Sequence, residues 1–237
     1  MAHQTATPRH PSVLHALAAA WSLRQAWQYL SVAVAREAHA VAAEADAFSA
    51  ADGIRSSQWG AGRSGGSHGD PTGNAVLSRV RSAGQSRPLA ALAKSTTDTL
   101  TWLADTLGLA AGPDPMWRIT NDLPRLQPGT AEQLRRWLAD HDTRIRTTLG
   151  IDPDEHLLQG AECPACHRRP LYARTAAPDP ADWVVTCGTG CLCSGQGCGC
   201  GMLVQVEGAV HIWDRSVPTV AAMLGALDGQ RTEGVAA

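Results

Sequence analysis

The sequence predicts an α+β protein: a mainly helical N-terminal domain, a helical bundle of long helices, with a small zinc-ribbon-like β module at the C-terminal end and a short terminal helix. Three observations carry this. Residues 12–50 are rich in alanine and contain no proline or glycine. Residues 131–149 repeat large apolar side chains every three or four positions. All seven cysteines fall between Cys163 and Cys200, among short runs rich in Val, Tyr and Trp. A chain of 237 residues can bury one good core and carry a smaller appendage. Composition therefore divides it into a helical domain over 1–150 and a cysteine-rich module over 151–237.

The first helix is expected over 12–50. Alanine is the best helix former, and Val13, Ala16, Ala20, Leu23, Trp27, Leu30, Val34, Ala38, Val41, Ala45 and Phe48 make one continuous apolar face. Residues 53–73, GIRSSQWGAGRSGGSHGDPTG, have the composition of a flexible loop. Gly60, Gly62 and Gly65 satisfy GxGxxG, and the same stretch matches a P-loop with Gly66 in place of lysine. Neither motif follows a strand or opens a helix, so no backbone N–H cradle for phosphate is expected. Asp70–Pro71 reads as an N-cap and first helical residue for a short helix to Arg81.

From Ser86 and Pro88 a further helix buries Leu89, Leu92, Leu100, Leu103 and Leu107, and Gly112–Pro113 ends it. Residues 112–128 read as an irregular connection pinned to the core by Trp117 and Ile119. The helix at 131–149 starts with Thr130 and Gln133 as a capping box, buries Leu134, Leu138, His141, Ile145 and Leu149, and ends at Gly150. Its other face pairs Glu132–Arg136, Asp140–Arg144 and Asp142–Arg146 at i, i+4, which reads as a solvated surface. His141, on the apolar stripe, reads as a core or boundary histidine and not as a ligand.

Charge excludes some functions. Twenty basic and 22 acidic residues leave a formal charge of -2, so no global field draws the chain to nucleic acid or membrane. No run approaches the roughly 20 apolar residues that cross a bilayer, and the apolar start lacks a cleavage pattern for a signal peptide. A cluster of seven cysteines suits metal binding in a reducing compartment better than a disulfide framework. The expected location is the cytoplasm.

The module opens at Cys163-Pro-Ala-Cys166, a zinc knuckle whose turn aims two thiolates the same way. Leu171–Ala173 and Trp183–Val185 read as a hairpin joined by AAPDPAD, and the second strand delivers Cys187, with Cys191 after it. Met202–Val206 and Val210–Trp213 read as further strands. One zinc ion on Cys163, Cys166, Cys187 and Cys191, with Cys200 as a less favoured fourth ligand, is one reading. The other is two ions, adding Cys193, Cys198, Cys200 and His211, since seven cysteines and one histidine make an all-cysteine set and a three-cysteine, one-histidine set. His167 abuts Cys166 and suits the eighth position less well.

Four thiolates close the coordination sphere and leave no open position for chemistry. A redox CPxC site is disfavoured by the HRRP that follows, and the spacings match neither ferredoxin pattern. No HExxH and no GxSxG occurs, so no catalytic residue and no organic cofactor is assigned.

The segments GGSHGDPTGNA, CPAC, WVVTC and CLCSGQGCGCG ahead of HIW resemble a group of uncharacterised proteins of actinobacteria and their bacteriophages. The resemblance covers residues 63–76 and 163–213. It implies zinc binding at Cys163, Cys166, Cys187 and Cys191, a phage or prophage origin, and a zinc-finger or DNA-binding description.

The function these features lead to is a regulatory or adaptor protein whose zinc ribbon docks nucleic acid or a protein. For DNA the candidates are Arg168, Arg169 and Arg174, with Arg55, Arg63, Arg79 and Arg81. Five basic against seven acidic residues over 161–237 weigh against phosphate binding. The alternative is a structural or assembly protein whose helical arm forms a homo-oligomer and whose zinc only stabilises the fold.

Overall fold

The structure, a computed structural model, describes residues 8–59 and 87–235. The GGSHGDPTG loop, the glycines of GxGxxG, the helix expected from Asp70, and Arg63, Arg79 and Arg81 lie outside the described residues.

Helix α1 runs from Pro11 to Trp59 without interruption. It continues seven residues into the segment read as loop. The reason is local: Gly53 alone costs a formed helix only about 1 kcal/mol, and no proline occurs between Pro11 and Pro71. Val13, Ala16, Ala20, Leu23 and Leu30 are buried, as the apolar face requires. Farther along, Val34, Ala38 and Val41 are only half-buried and Ala45 is exposed.

Packing groups the chain into two compact units, Met1–Trp27 with Thr99–Ala237, and Gln28–Asp98. This division follows spatial packing, whereas the division at residue 150 follows composition. In the smaller unit the Glu37 carboxylate accepts hydrogen bonds from the Leu89 and Ala90 amides at 3.5 and 3.3 Å. Those amides open helix α2, Pro88–Thr106. A carboxylate there satisfies free N–H groups and complements the helix dipole.

In the larger unit α2 contributes Leu100, Leu103 and Ala104 to the core. The connection read as irregular instead contains helix α3, Pro115–Asp122, followed by a 3-10 turn over Leu123–Arg125. Asp114 caps α3 by accepting from the Trp117 amide at 2.7 Å, and Pro115 occupies the first turn. Ile119 is fully buried; Trp117 is 36% exposed and lies over Gly112. Helix α4, Pro128–Leu149, begins before the expected capping box. Its N-cap is Gln127, without a side-chain cap, and Pro128 enters the first turn. At its other end Gly150 is left-handed (φ 65°), as a C-terminal cap requires. Leu134, Leu138 and Ile145 are buried and His141 is half-buried.

One expectation for α4 is overturned. Asp142–Arg146 is no solvated pair. Arg146 is buried and reaches the Asp152 carbonyl at 2.5 Å, the Ser22 carbonyl at 3.2 Å and Gln25 Oε1 at 3.0 Å. Glu132 does pair with Arg136, at 3.3 Å, and more closely with Arg135, at 2.8 Å.

The C-terminal module is a four-stranded antiparallel meander in the order β1-β2-β3-β4. Its strands are β1 (Glu155–Leu158), β2 (Leu171–Arg174), β3 (Val184–Cys187) and β4 (Ile212–Trp213). Strand β1 was not anticipated: EHLL is an edge strand with three of four residues exposed, so it carries no alternation. The segment Met202–Val206, expected as a strand, forms none. Its Gln205 side chain is instead drawn to the loop that carries Cys198. The period of β3 and β4 places their residues on two faces. Val184 and Ile212 pack on Leu14 and Ala18 of α1, while Val185 and Trp213 face the cysteines. Helix α5, Pro218–Val235, is the expected terminal helix and buries Val220 and Leu224 against the cysteine side. Among the described residues no helix is long and apolar enough to cross a membrane.

Candidate metal centre

The knuckle forms because the turn after Cys163 is tight. The His167 amide donates to the Cys163 carbonyl at 2.8 Å, and the Cys163 amide to the Arg168 carbonyl at 3.1 Å. His167 sits at φ 53°, a conformation that glycine usually takes, so the residue serves the turn. Strand β3 brings Cys187, and a turn closed by the Gly190 amide on the Cys187 carbonyl brings Cys191. Cys163, Cys166, Cys187 and Cys191 thereby converge, with their Sγ atoms all within 4.8 Å of one another.

The remaining cysteines do not scatter. Cys193, Cys198, Cys200 and His211 form a second group within the same 4.8 Å limit. The pairing that builds it is a short antiparallel ladder: the His211 amide donates to the Cys191 carbonyl, the Cys193 amide to the Ala209 carbonyl, and the Gly208 amide to the Cys193 carbonyl. Leu192 bridges Val210 and points outward, 61% exposed. Between Cys193 and Cys198 the chain doubles back through Gly195 and Gly197, at φ 88° and 86°. Gln205 clamps this loop, donating to the Cys198 carbonyl at 2.8 Å and accepting from the Gly197 amide at 3.0 Å.

The spacings match tetrahedral ligation. Zinc–sulfur bonds of about 2.3 Å and zinc–nitrogen bonds of about 2.05 Å put two sulfurs about 3.8 Å apart, and sulfur and nitrogen about 3.6 Å apart. In the first group Cys163–Cys191, Cys166–Cys187 and Cys191–Cys187 are 3.5, 3.8 and 3.4 Å apart. In the second, Cys198 Sγ lies 3.5 Å from His211 Nε2. All seven cysteines are free.

Electrostatics explains why such groups take a cation. In the first group burial pushes the Cys163 and Cys191 thiols up. The Thr189 hydroxyl pulls Cys166 down to about 6. At Cys187 burial acts upward but hydrogen bonds from Thr189 and Cys191 outweigh it, so the net shift is downward. In the second, hydrogen bonds from Ser194 lower Cys198 to about 5, and burial raises Cys200 to about 11. Packed sulfurs repel as anions, so the thiolates of a group resist forming together. A dication removes that conflict and allows full deprotonation. Hydroxyl support comes from Thr189 Oγ1, 3.0 Å from Cys187 and 3.6 Å from Cys166.

His211 is fully buried, and its ring stacks on Trp213 at 5.8 Å. Trp213 donates through Nε1 to the Cys200 carbonyl and Trp183 to the Ala177 carbonyl, each at 2.8 Å. His167 belongs to neither group. Of the arginines considered for DNA, Arg169 is paired with Glu162 at 2.9 Å and Arg174 with Glu155 at 3.0 Å. The supporting roles of Thr189, Ser194 and Gln205 were not foreseen, because their partners are set by loop conformation and not by spacing. No family model, no curated protein and no solved structure matches the chain.

Proposed function

We propose that the protein is a cytoplasmic zinc-binding adaptor or regulatory protein of phage, prophage or actinobacterial origin, with two structural zinc ions and a zinc-ribbon-like module that docks a protein partner. One observation carries the metal reading: seven cysteines and His211 sort into two complete four-ligand groups with none left over. Thiolate-rich sets with no water position stabilise a fold; they do not activate substrate. The module is too small to bury much core alone, so metal binding is folding energy for it. The sequence resemblance at 63–76 and 163–213 supports the origin.

A protein partner fits better than nucleic acid. Acidic residues outnumber basic ones over 161–237, and Arg169 and Arg174 are already held by glutamates. Aromatic side chains are also available outside the module: Trp102 on α2 and Trp137 on α4 meet edge to face at 6.2 Å and stay 55% and 39% exposed. Exposed tryptophans are enriched where proteins dock. Elemental analysis of protein grown with zinc tests the metal reading, with two zinc per chain expected and one or none overturning it. Duplex DNA tests the partner. No binding at moderate salt is expected, and binding that weakens steeply with salt would restore the nucleic-acid reading.

A second reading, that the helical arm assembles copies of the chain, is favoured by Tyr29 and Val32, each about half exposed on α1. Light scattering separates the two: a monomer removes the assembly reading, a stable oligomer supports it.

A further inference from the structure

The two groups are not independent. The His211 ring lies between them, with Nε2 at 3.5 Å from Cys198 Sγ and Nδ1 at 2.9 Å from Cys191 Sγ. The first distance is that of two ligands on one ion, about 3.6 Å, and the second is too short for that and is a close contact of Nδ1 with the Cys191 sulfur, where only an N–H donor fits. One ring nitrogen therefore serves each centre. Cys191 belongs to the first group and Cys198 to the second.

We infer that His211 couples the two metal centres: Nε2 ligates the second ion while Nδ1–H donates to the Cys191 thiolate that ligates the first. This rests on the two-metal reading above. A neutral imidazole carries one proton. With Nε2 bound to metal, that proton must sit on Nδ1, facing Cys191. With the second site unfilled, the proton can move to Nε2, leaving a lone pair against the Cys191 sulfur. Filling the second site thus selects the tautomer that the first site needs. It also strengthens the donor, because the ion withdraws electron density from the ring.

The recipient is well placed to respond. A four-thiolate zinc centre carries net negative charge, and N–H donors to its sulfurs hold it against protonation and metal loss. The rigidity of the link comes from the surroundings. The His211 amide is fixed on the Cys191 carbonyl at 3.3 Å, its carbonyl accepts from the Cys187 amide at 3.4 Å, and Trp213 covers its face. The ring has no room to turn away, since His211 is 0% exposed. Coupling between sites is reciprocal, so the first ion also favours the second.

The test uses the full chain and cobalt(II), whose visible bands distinguish four-sulfur from three-sulfur, one-nitrogen sites. In the wild-type protein the four-sulfur ion should be lost to a chelator on the order of 10-fold more slowly when the second site is filled than when it is not. Equal rates overturn the coupling. His211→Cys keeps four ligands at the second site but removes the N–H donor. It should bind two ions, both now four-sulfur, and lose faster the one held by Cys163, Cys166, Cys187 and Cys191, whose cadmium NMR resonance, assigned through its couplings to those cysteines, should shift; two ions with that resonance and rate unmoved overturn the proposal. Proton–nitrogen correlation NMR of the zinc protein covers the case of a variant that fails to fold. It should show His211 protonated at Nδ1 and metal-bound at Nε2, and a proton at Nε2 overturns the coupling. A wild-type chain holding a single ion instead sinks the two-metal reading itself, a result visible before any rate is compared.

Discussion

Asp142 and Arg146 form an ion pair 2.9 Å apart in which the side chains are only 14% and 5% exposed. The pair lies on α4, and the same guanidinium reaches Ser22 and Gln25 on α1 and the Asp152 carbonyl beyond α4. The Ser22 hydroxyl donates to the other Asp142 oxygen at 3.0 Å. A single buried cation thus ties α1, α4 and the approach to β1.

Removing one partner leaves the other charge buried without a counter-charge. Asp142→Ala is expected to destabilise the fold by about 3 kcal/mol, and Arg144→Ala, an exposed neighbour, by less than about 0.5 kcal/mol. Urea melts followed by helical circular dichroism read the difference. Equal effects would show that the pair is a surface feature after all.

Asp114 supplies the only side-chain N-cap seen on α3 among the described residues, by its 2.7 Å bond from the Trp117 amide. Asp114→Ala should cost about 1 kcal/mol, and Asp114→Ser should recover most of that. Thermal melts of the two variants check it.

His15 predicts a pH response. It lies on α1 beside a cavity of about 500 Å³ that Glu132, Arg135, Arg174 and Val210 also line. Burial holds its pKa down at about 4, against the upward pull of the Val210 carbonyl 3.1 Å away; Arg174 and Arg135 lower it further and Glu132 raises it. The folded state therefore keeps His15 neutral while the unfolded chain takes up a proton below about 6.5. Stability from this group is complete above about 6.5 and falls as pH drops toward about 4. His15→Gln should flatten the wild-type decline between pH 7 and pH 5.5, read as midpoint denaturant concentration. A decline of the same slope in the variant would assign the response elsewhere.

Metal removal should act on the module first. Trp183 and Trp213 pack against the cysteine cluster, so chelation at neutral pH should abolish the near-ultraviolet circular dichroism they generate. The far-ultraviolet helical signal should fall less, since α2 and α3 hold no ligand. Cys187→Ser and Cys200→Ser should each lower zinc by one per chain. Loss of both ions from either variant would mean that the groups cannot fill separately.

The legible parts of the fold were those with a period or a cap. The stripe from Val13 to Leu30, Leu92, Leu100 and Leu103 of α2 and Gly150 after α4 follow from local rules; Leu89 and Leu107, also expected in the core, are only half-buried. Asp114–Pro115 carries the same cap-and-proline signature as Asp70–Pro71, but it sits in a stretch whose prolines and glycine carry a loop composition. Arg146 looked solvated because i, i+4 spacing says nothing of what α1 brings to the same place. Of the metal groups, Cys163, Cys166, Cys187 and Cys191 followed from knuckle and hairpin spacing. The second group depends on two left-handed glycines and a ladder between 191–193 and 208–211, and so only the ligand arithmetic pointed to it.

Cys191-Leu-Cys193 hands one thiolate to each group, and the groups follow one another along the chain without interleaving. A ribosome therefore releases the first four ligands as a complete set before any of the second. His211 emerges last of the eight. On the two-metal reading assembly has a direction: the first ion can be captured on a partly made chain, and the final ligand to appear is the one proposed to lock it.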